Sequence, residues 1–256
     1  MILQSAALYK DEGVSEFTLN AALRALQAYG LDCDCVSSSD ILSGALKTCD
    51  LFVMPGGADE PYDAKLGDEG AHIIRDFVTQ GGAYLGLCAG AYYACDYFEF
   101  NKGHASEICG ERPLKLFKGW AKGSITDIAP LYDLTLDSAS VTDVMMSDET
   151  FPIYYHGGPV FMGFENDPDA DIIGVYKALP ANQNAAIIYK NYAKGCVILC
   201  GPHPEVSADD FAKRITQENN PQDYANILND LGHLTTDQQG LLEKILSLML
   251  RRSLHY

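Results

Sequence analysis

The chain of 256 residues predicts an α/β fold, a mostly parallel sheet with helices on both faces. Two observations carry that prediction. Short apolar runs alternate with helix-period segments along the N-terminal part, as expected when each strand is followed by a crossover helix. Two of those runs end abruptly in glycine-containing turns, Leu51–Met54 at Pro55-Gly56-Gly57 and Ala83–Leu87 at Cys88, as buried parallel strands do.

In order, Ile2–Leu8 reads as a first strand. Ser15–Tyr29 places Leu19, Ala22, Leu23 and Leu26 on one helical face, and Gly30 stops it. Asp68–Gln80 gathers Ile73, Ile74, Phe77 and Val78 before Gly81-Gly82 ends that helix. Residues 98–164 are short apolar segments broken by Gly, Pro and Asp, so an irregular, β-rich insertion of hairpins and loops is expected there. Parallel strands are expected to resume at Ile172–Val175, Ala185–Tyr189 and Val197–Cys200. Residues 207–256 read as a helical tail. It closes on an amphipathic helix introduced by the capping signal Thr235-Thr-Asp-Gln238. With no linker, repeat or low-complexity tract, one domain over 1–256 is the expectation.

The formal net charge is −17, which repels phosphate backbones and anionic lipid, so neither nucleic acid nor membrane is an expected partner. The start of the chain lacks the basic and apolar regions of a secretory leader, and no apolar run suits a membrane span. A reducing cytoplasm is therefore expected, with the eight cysteines free. Cys33-Asp-Cys35 and Cys196-Val-Ile-Leu-Cys200 lack zinc-site spacing and read as buried thiols. No metal or cofactor is expected.

The chemistry concentrates in three places. Tyr84-Leu-Gly-Leu-Cys88-Ala-Gly-Ala91 is a strand, a G-x-C-x-G turn and a helix start, the cysteine form of a nucleophile elbow. Flanking glycines relieve the clashes of so sharp a turn, and free N–H groups at the helix start favour thiolate. His203, in Cys200-Gly-Pro-His-Pro-Glu205, follows another apolar strand, where a parallel sheet opens into a ligand crevice. Glu205, two residues on, can hold the imidazole, so Cys88, His203 and Glu205 have the makings of a nucleophile, base and orienting acid. Gly56 and Gly57 lie after a third strand, where one of them can supply an N–H to an oxyanion hole and Ala89 the other.

Together these residues resemble the class I glutamine amidotransferase superfamily, and more closely the biotin-protein ligase N-terminal family. The resemblance lies in Pro55-Gly-Gly-Ala-Asp-Glu-Pro-Tyr62, Gly81-Gly-Ala-Tyr-Leu-Gly-Leu-Cys-Ala-Gly-Ala-Tyr-Tyr-Ala94, Glu99-Phe100, Tyr154-Tyr-His-Gly-Gly-Pro159 and Gly201-Pro-His-Pro-Glu205. It implies a flavodoxin-like, doubly wound sheet, Cys88 as nucleophile, His203 as base, Glu205 as its orienter, and Gly57 and Ala89 at the oxyanion. Two departures point away from glutamine itself. Glutaminase domains carry Cys-x-Gly-x-Gln, and Tyr92 stands in place of that Gln; Tyr155-His156-Gly-Gly158 replaces a segment that grips the glutamine backbone. No ligase-like portion follows residue 206, so biotin attachment by this chain alone is not implied.

The expected function is therefore cysteine-dependent chemistry on a small amide or acyl substrate. Asp59, Tyr62, Tyr92, Tyr155 and His156 are the expected pocket walls. The alternative is a regulatory ligand-binding module that keeps the site without turnover. A redox sensor is a third reading, and His203-Pro-Glu205 speaks against it, since such a sensor needs no base.

Overall fold

The computed structural model describes residues 3–232 and 235–252; the side chains of Thr235-Thr-Asp-Gln238, and so the expected capping signal, lie outside the described residues, as does Ile2. The first half builds the expected alternation: β1 (Ser5–Tyr9), α1 (Glu16–Ala28), β2 (Asp32–Val36), α2 (Ser38–Leu42), β3 (Leu51–Met54), α3 (Asp59–Thr79), β4 (Ala83–Leu87) and α4 (Ala89–Tyr93). Ser15 caps α1 with its side chain. The helix expected at Asp68–Gln80 begins earlier, at Asp59, and bends at Gly67.

Then come β5 (Cys95–Phe100), β6 (Ile108–Glu111), β7 (Phe117–Gly123), β8 (Ser140–Met146), β9 (Glu149–Tyr155) and β10 (Val160–Met162). β8 and β9 form a hairpin across Ser147-Asp148, both with positive φ, the turn geometry that matches strand twist. The remainder is β11 (Ala170–Tyr176), β12 (Ala185–Tyr192), β13 (Gly195–Cys200), α5 (Ala208–Ile215), α6 (Ala225–Gly232) and α7 (Thr235–Arg252).

The sheet begins β2-β1-β3-β4-β13, all parallel, which is the flavodoxin-like order. It continues β12-β10-β7-β5-β6, with β11, β8 and β9 branching from β12. Of the three strands expected to resume the parallel set, only β13 does so. β12 runs antiparallel to β13, and β11 antiparallel to β12. An unbroken apolar run reports burial on both faces and carries no direction. Here a two-residue link, Ala193-Lys194, reverses the chain between β12 and β13.

Alternation within the central strands splits the core in two. Leu8, Leu51, Val53, Leu85 and Ile198 face α1 and α7, against Leu19, Leu26, Leu241, Ile245 and Leu246. Tyr9, Phe52, Met54, Tyr84 and Leu199 face α2, α3 and α4, against Ile41, Leu66, Ile74 and Val78. Helices thus cover both faces, and the C-terminal ends of β3, β4 and β13 meet at one edge. Among the described residues no helix is long and apolar enough to cross a membrane. Cys196 and Cys200 are buried as expected, but Cys35 is exposed and Cys33 half-buried, because β2 is the edge strand.

Candidate functional site

Cys88 sits at the end of β4 with φ 49° and ψ −104°, a left-handed backbone that a non-glycine residue holds at a cost of about 1–3 kcal/mol. The surroundings enforce it. The Cys88 N–H donates to the Cys200 carbonyl at 2.9 Å, tying the elbow to β13. A Cβ on Gly90 would lie 2.1 Å from the Met54 carbonyl oxygen, so only glycine lets α4 pack this tightly on β3. α4 is barely more than one turn long, so local N–H groups act here rather than a long helix's dipole.

His203 is fixed from two sides. Its backbone N–H donates to the Tyr154 carbonyl at 2.9 Å, and its Nδ1 bonds the Glu205 carboxylate at 2.8 Å. The Glu205 side chain is fully buried and that of His203 is 3% exposed. Burial alone would lower the His203 pKa. The charges of Glu205 and Cys88 outweigh it and raise the imidazole to about 10. Cys88 and His203 therefore interact directly, by charge and by a side-chain hydrogen bond, and the sulfur also lies 3.7 Å from the His156 carbonyl.

Both side chains line a cavity of about 430 Å³. Gly57 and Ala89 line it too. Hydrogen bonds from Ser15 N–H to Gly56 and from Ala58 N–H to Gly13 bracket Gly57, so the Gly57 N–H is not used in the bridge to Val14. Ala89 is the first residue of α4, so its N–H has no partner within the helix. Gly56 has a different place: its carbonyl accepts from Ser15, Thr18 and Tyr62, and a Cβ there would fall 2.6 Å from Cε1 of His203.

Of the expected pocket walls, Asp59, Tyr92 and His156 line the cavity. Tyr62 and Tyr155 do not. Both are fully buried; Tyr62 donates to the Gly56 carbonyl at 3.1 Å, and Tyr155 donates to Gly158 at 2.8 Å. They brace the turns around the site, because a hydroxyl within reach of a loop carbonyl satisfies both groups. His156 is held in place through Nε2 by the Ser138 hydroxyl and the Thr135 carbonyl. Burial and nearby His203 push its pKa down to about 4, so it is neutral.

Sequence reasoning made no claim for Arg112, which belongs to the site's support. Its Nε bonds Asp59 at 2.8 Å and its guanidinium lies over the Phe98 ring at 4.3 Å. Burial pushes the Asp59 carboxyl up, and Arg112 opposes that shift. Removing one partner of a buried pair strands the other. Arg112→Met is expected to lose about 3–5 kcal/mol of stability by urea unfolding, and Arg112→Met/Asp59→Asn to recover much of it. A single variant as stable as the native chain would show the pair to be dispensable.

The biotin-protein ligase N-terminal family matches residues 5–253. An uncharacterised protein of Chlamydia muridarum is 31% identical over 260 residues, covering 96% of this chain and 97% of the relative. A biotin–protein ligase of Schizosaccharomyces pombe is 37% identical over 165 residues, covering 62% of this chain but only 26% of the ligase. Among solved structures, a glutamine amidotransferase from Thermotoga maritima superposes over all of both chains with a TM-score of 0.62 at 13% identity, a likeness of fold. By its own motifs and by this match over nearly its whole length, the chain belongs to the biotin-protein ligase N-terminal family.

Proposed function

We propose that this chain is a cysteine-dependent acyl-transfer enzyme acting on a small-molecule amide or ester. The observation that carries the reading is the buried His203–Glu205 pair interacting with Cys88 at a cavity that Gly57 and Ala89 also line. The Cys88 thiolate attacks the carbonyl carbon, and the oxyanion that forms receives the Gly57 and Ala89 N–H groups. The C–N or C–O bond breaks as the His203 imidazolium gives its proton to the departing amine or alcohol. Water, losing a proton to His203, then attacks the thioester; the C–S bond breaks, releasing a carboxylic acid and restoring the Cys88 thiolate beside the His203 imidazolium. No cofactor enters, and every proton is accounted for by His203.

A second reading has one observation in its favour. Tyr92 replaces the residue that holds glutamine in glutaminases, and its hydroxyl is committed to the Gly157 carbonyl at 3.0 Å. On that reading the chain captures a ligand without turnover, as a regulatory module of its family. Iodoacetamide alkylation near neutral pH, mapped peptide by peptide, separates the two. Exposed Cys35 serves as an internal reference. Cys88 alkylating faster than Cys35 despite its burial supports the enzyme; a slower Cys88 favours capture.

A further inference from the structure

We infer that the cavity over Cys88 takes an amide or ester bearing a bulky uncharged aromatic group, and not free glutamine. The inference rests on the reading of Cys88 as nucleophile and names its substrate class.

The wall of the cavity is a nearly unbroken chain of rings. Phe98 meets Tyr92 edge-on at 5.9 Å, Tyr92 meets Phe100 at 5.8 Å, and Phe100 meets Tyr132 at 5.3 Å. Tyr132 then packs on His156 at 4.7 Å, His156 on Tyr154 at 6.3 Å, and Tyr154 on Phe17 at 5.9 Å. All seven line the cavity. Such a wall offers ring faces and edges to another ring.

Charge points the same way. A free amino acid needs a cation for its carboxylate, and the arginine lining the cavity, Arg214, is paired with Glu218 at 2.5 Å. Arg112, behind the wall, is committed to Asp59. His156 is neutral, and His203 belongs to Glu205 and Cys88. Among the described residues that line the cavity, no cation is left for a substrate carboxylate.

Size and the mouth agree. About 430 Å³ lies within the roughly 300–1,000 Å³ of sites that enclose drug-sized ligands. Leu134, at the mouth, is 88% exposed. A large apolar side chain that exposed gains by closing over an apolar ligand.

The test compares two alkylating probes, 2-chloroacetamide and N-(2-naphthylmethyl)-2-chloroacetamide. In each, the Cys88 sulfur forms a bond to the methylene carbon as chloride leaves. After correction for their rates with free cysteine, the naphthyl probe is expected to label Cys88 about thirtyfold faster, the ratio that ~2 kcal/mol of ring burial yields. Leu134→Asp, a change at an exposed position, should cut that preference several-fold. Free glutamine should give no protection. Equal rates for the two probes, on a Cys88 more reactive than Cys35, overturn this inference and leave the nucleophile standing. If Cys88 reacts with neither probe, the nucleophile reading falls, and the inference is decided by titrating 2-naphthylacetamide into Cys88→Ala by calorimetry. Saturable binding then upholds it, and none overturns it.

Discussion

Cys88→Ala is expected to abolish hydrolysis of a chromogenic aryl ester while leaving the chain folded. Removing the nucleophile of a comparable set of residues lowers turnover by about 10⁴–10⁶-fold, because the remaining groups have no atom to acylate. The fold should tolerate the change. Cys88 is 7% exposed, its thiol touches the His156 carbonyl, at 3.7 Å, and the His203 imidazole, and alanine keeps the Cβ that the elbow already accommodates. His203 would lose one of the two charges that raise its pKa, so its titration should move down as the Cys88 charge disappears. Three measurements suffice: ester hydrolysis, far-ultraviolet circular dichroism, and the His203 titration followed by NMR. A folded Cys88→Ala chain that still hydrolyses the ester at the native rate would remove Cys88 from the chemistry altogether.

Much of this site is legible in the sequence, for a physical reason. Cys88, His203 and Gly57 each follow an apolar strand, and in a doubly wound sheet strand ends converge on one edge, so local patterns foretold a long-range meeting. What escaped lacked a local signature. Arg112 sits in an irregular stretch, 53 positions from its partner Asp59, and nothing near it marks a buried cation. Tyr62 and Tyr155 look like pocket tyrosines in sequence, yet their hydroxyls are spent on loop carbonyls that only the fold brings near. The direction of β11 and β12 was lost because apolarity encodes depth alone. The aromatic wall left one legible trace. Phe98 and Phe100 are two apart on β5 and so share a face, but the rings that extend the wall come from four other segments of the chain.

Glu205→Gln should separate charge from geometry at the same site. A glutamine oxygen can still accept the Nδ1–H of His203, so the ring keeps its orientation while the buried negative charge is lost. Burial, which lowers the imidazole's pKa, would then oppose only the Cys88 charge, and the His203 pKa should fall from about 10. Turnover needs the imidazolium to protonate the leaving group. The alkaline limb of the native pH–rate profile is accordingly expected near 10 and should move well down in the variant, with a loss of about 10²–10⁴ in kcat at neutral pH. Stability must follow the same titration. A histidine whose pKa is raised on folding stabilises the native state fully below its unfolded value, near 6.5, and loses that contribution as pH rises towards 10. The native chain should therefore exceed Glu205→Gln in stability most at pH 6, with the gap narrowing towards pH 10. An unchanged alkaline limb, or a gap that does not shrink with rising pH, would mean that Glu205 holds the ring in place without setting its charge.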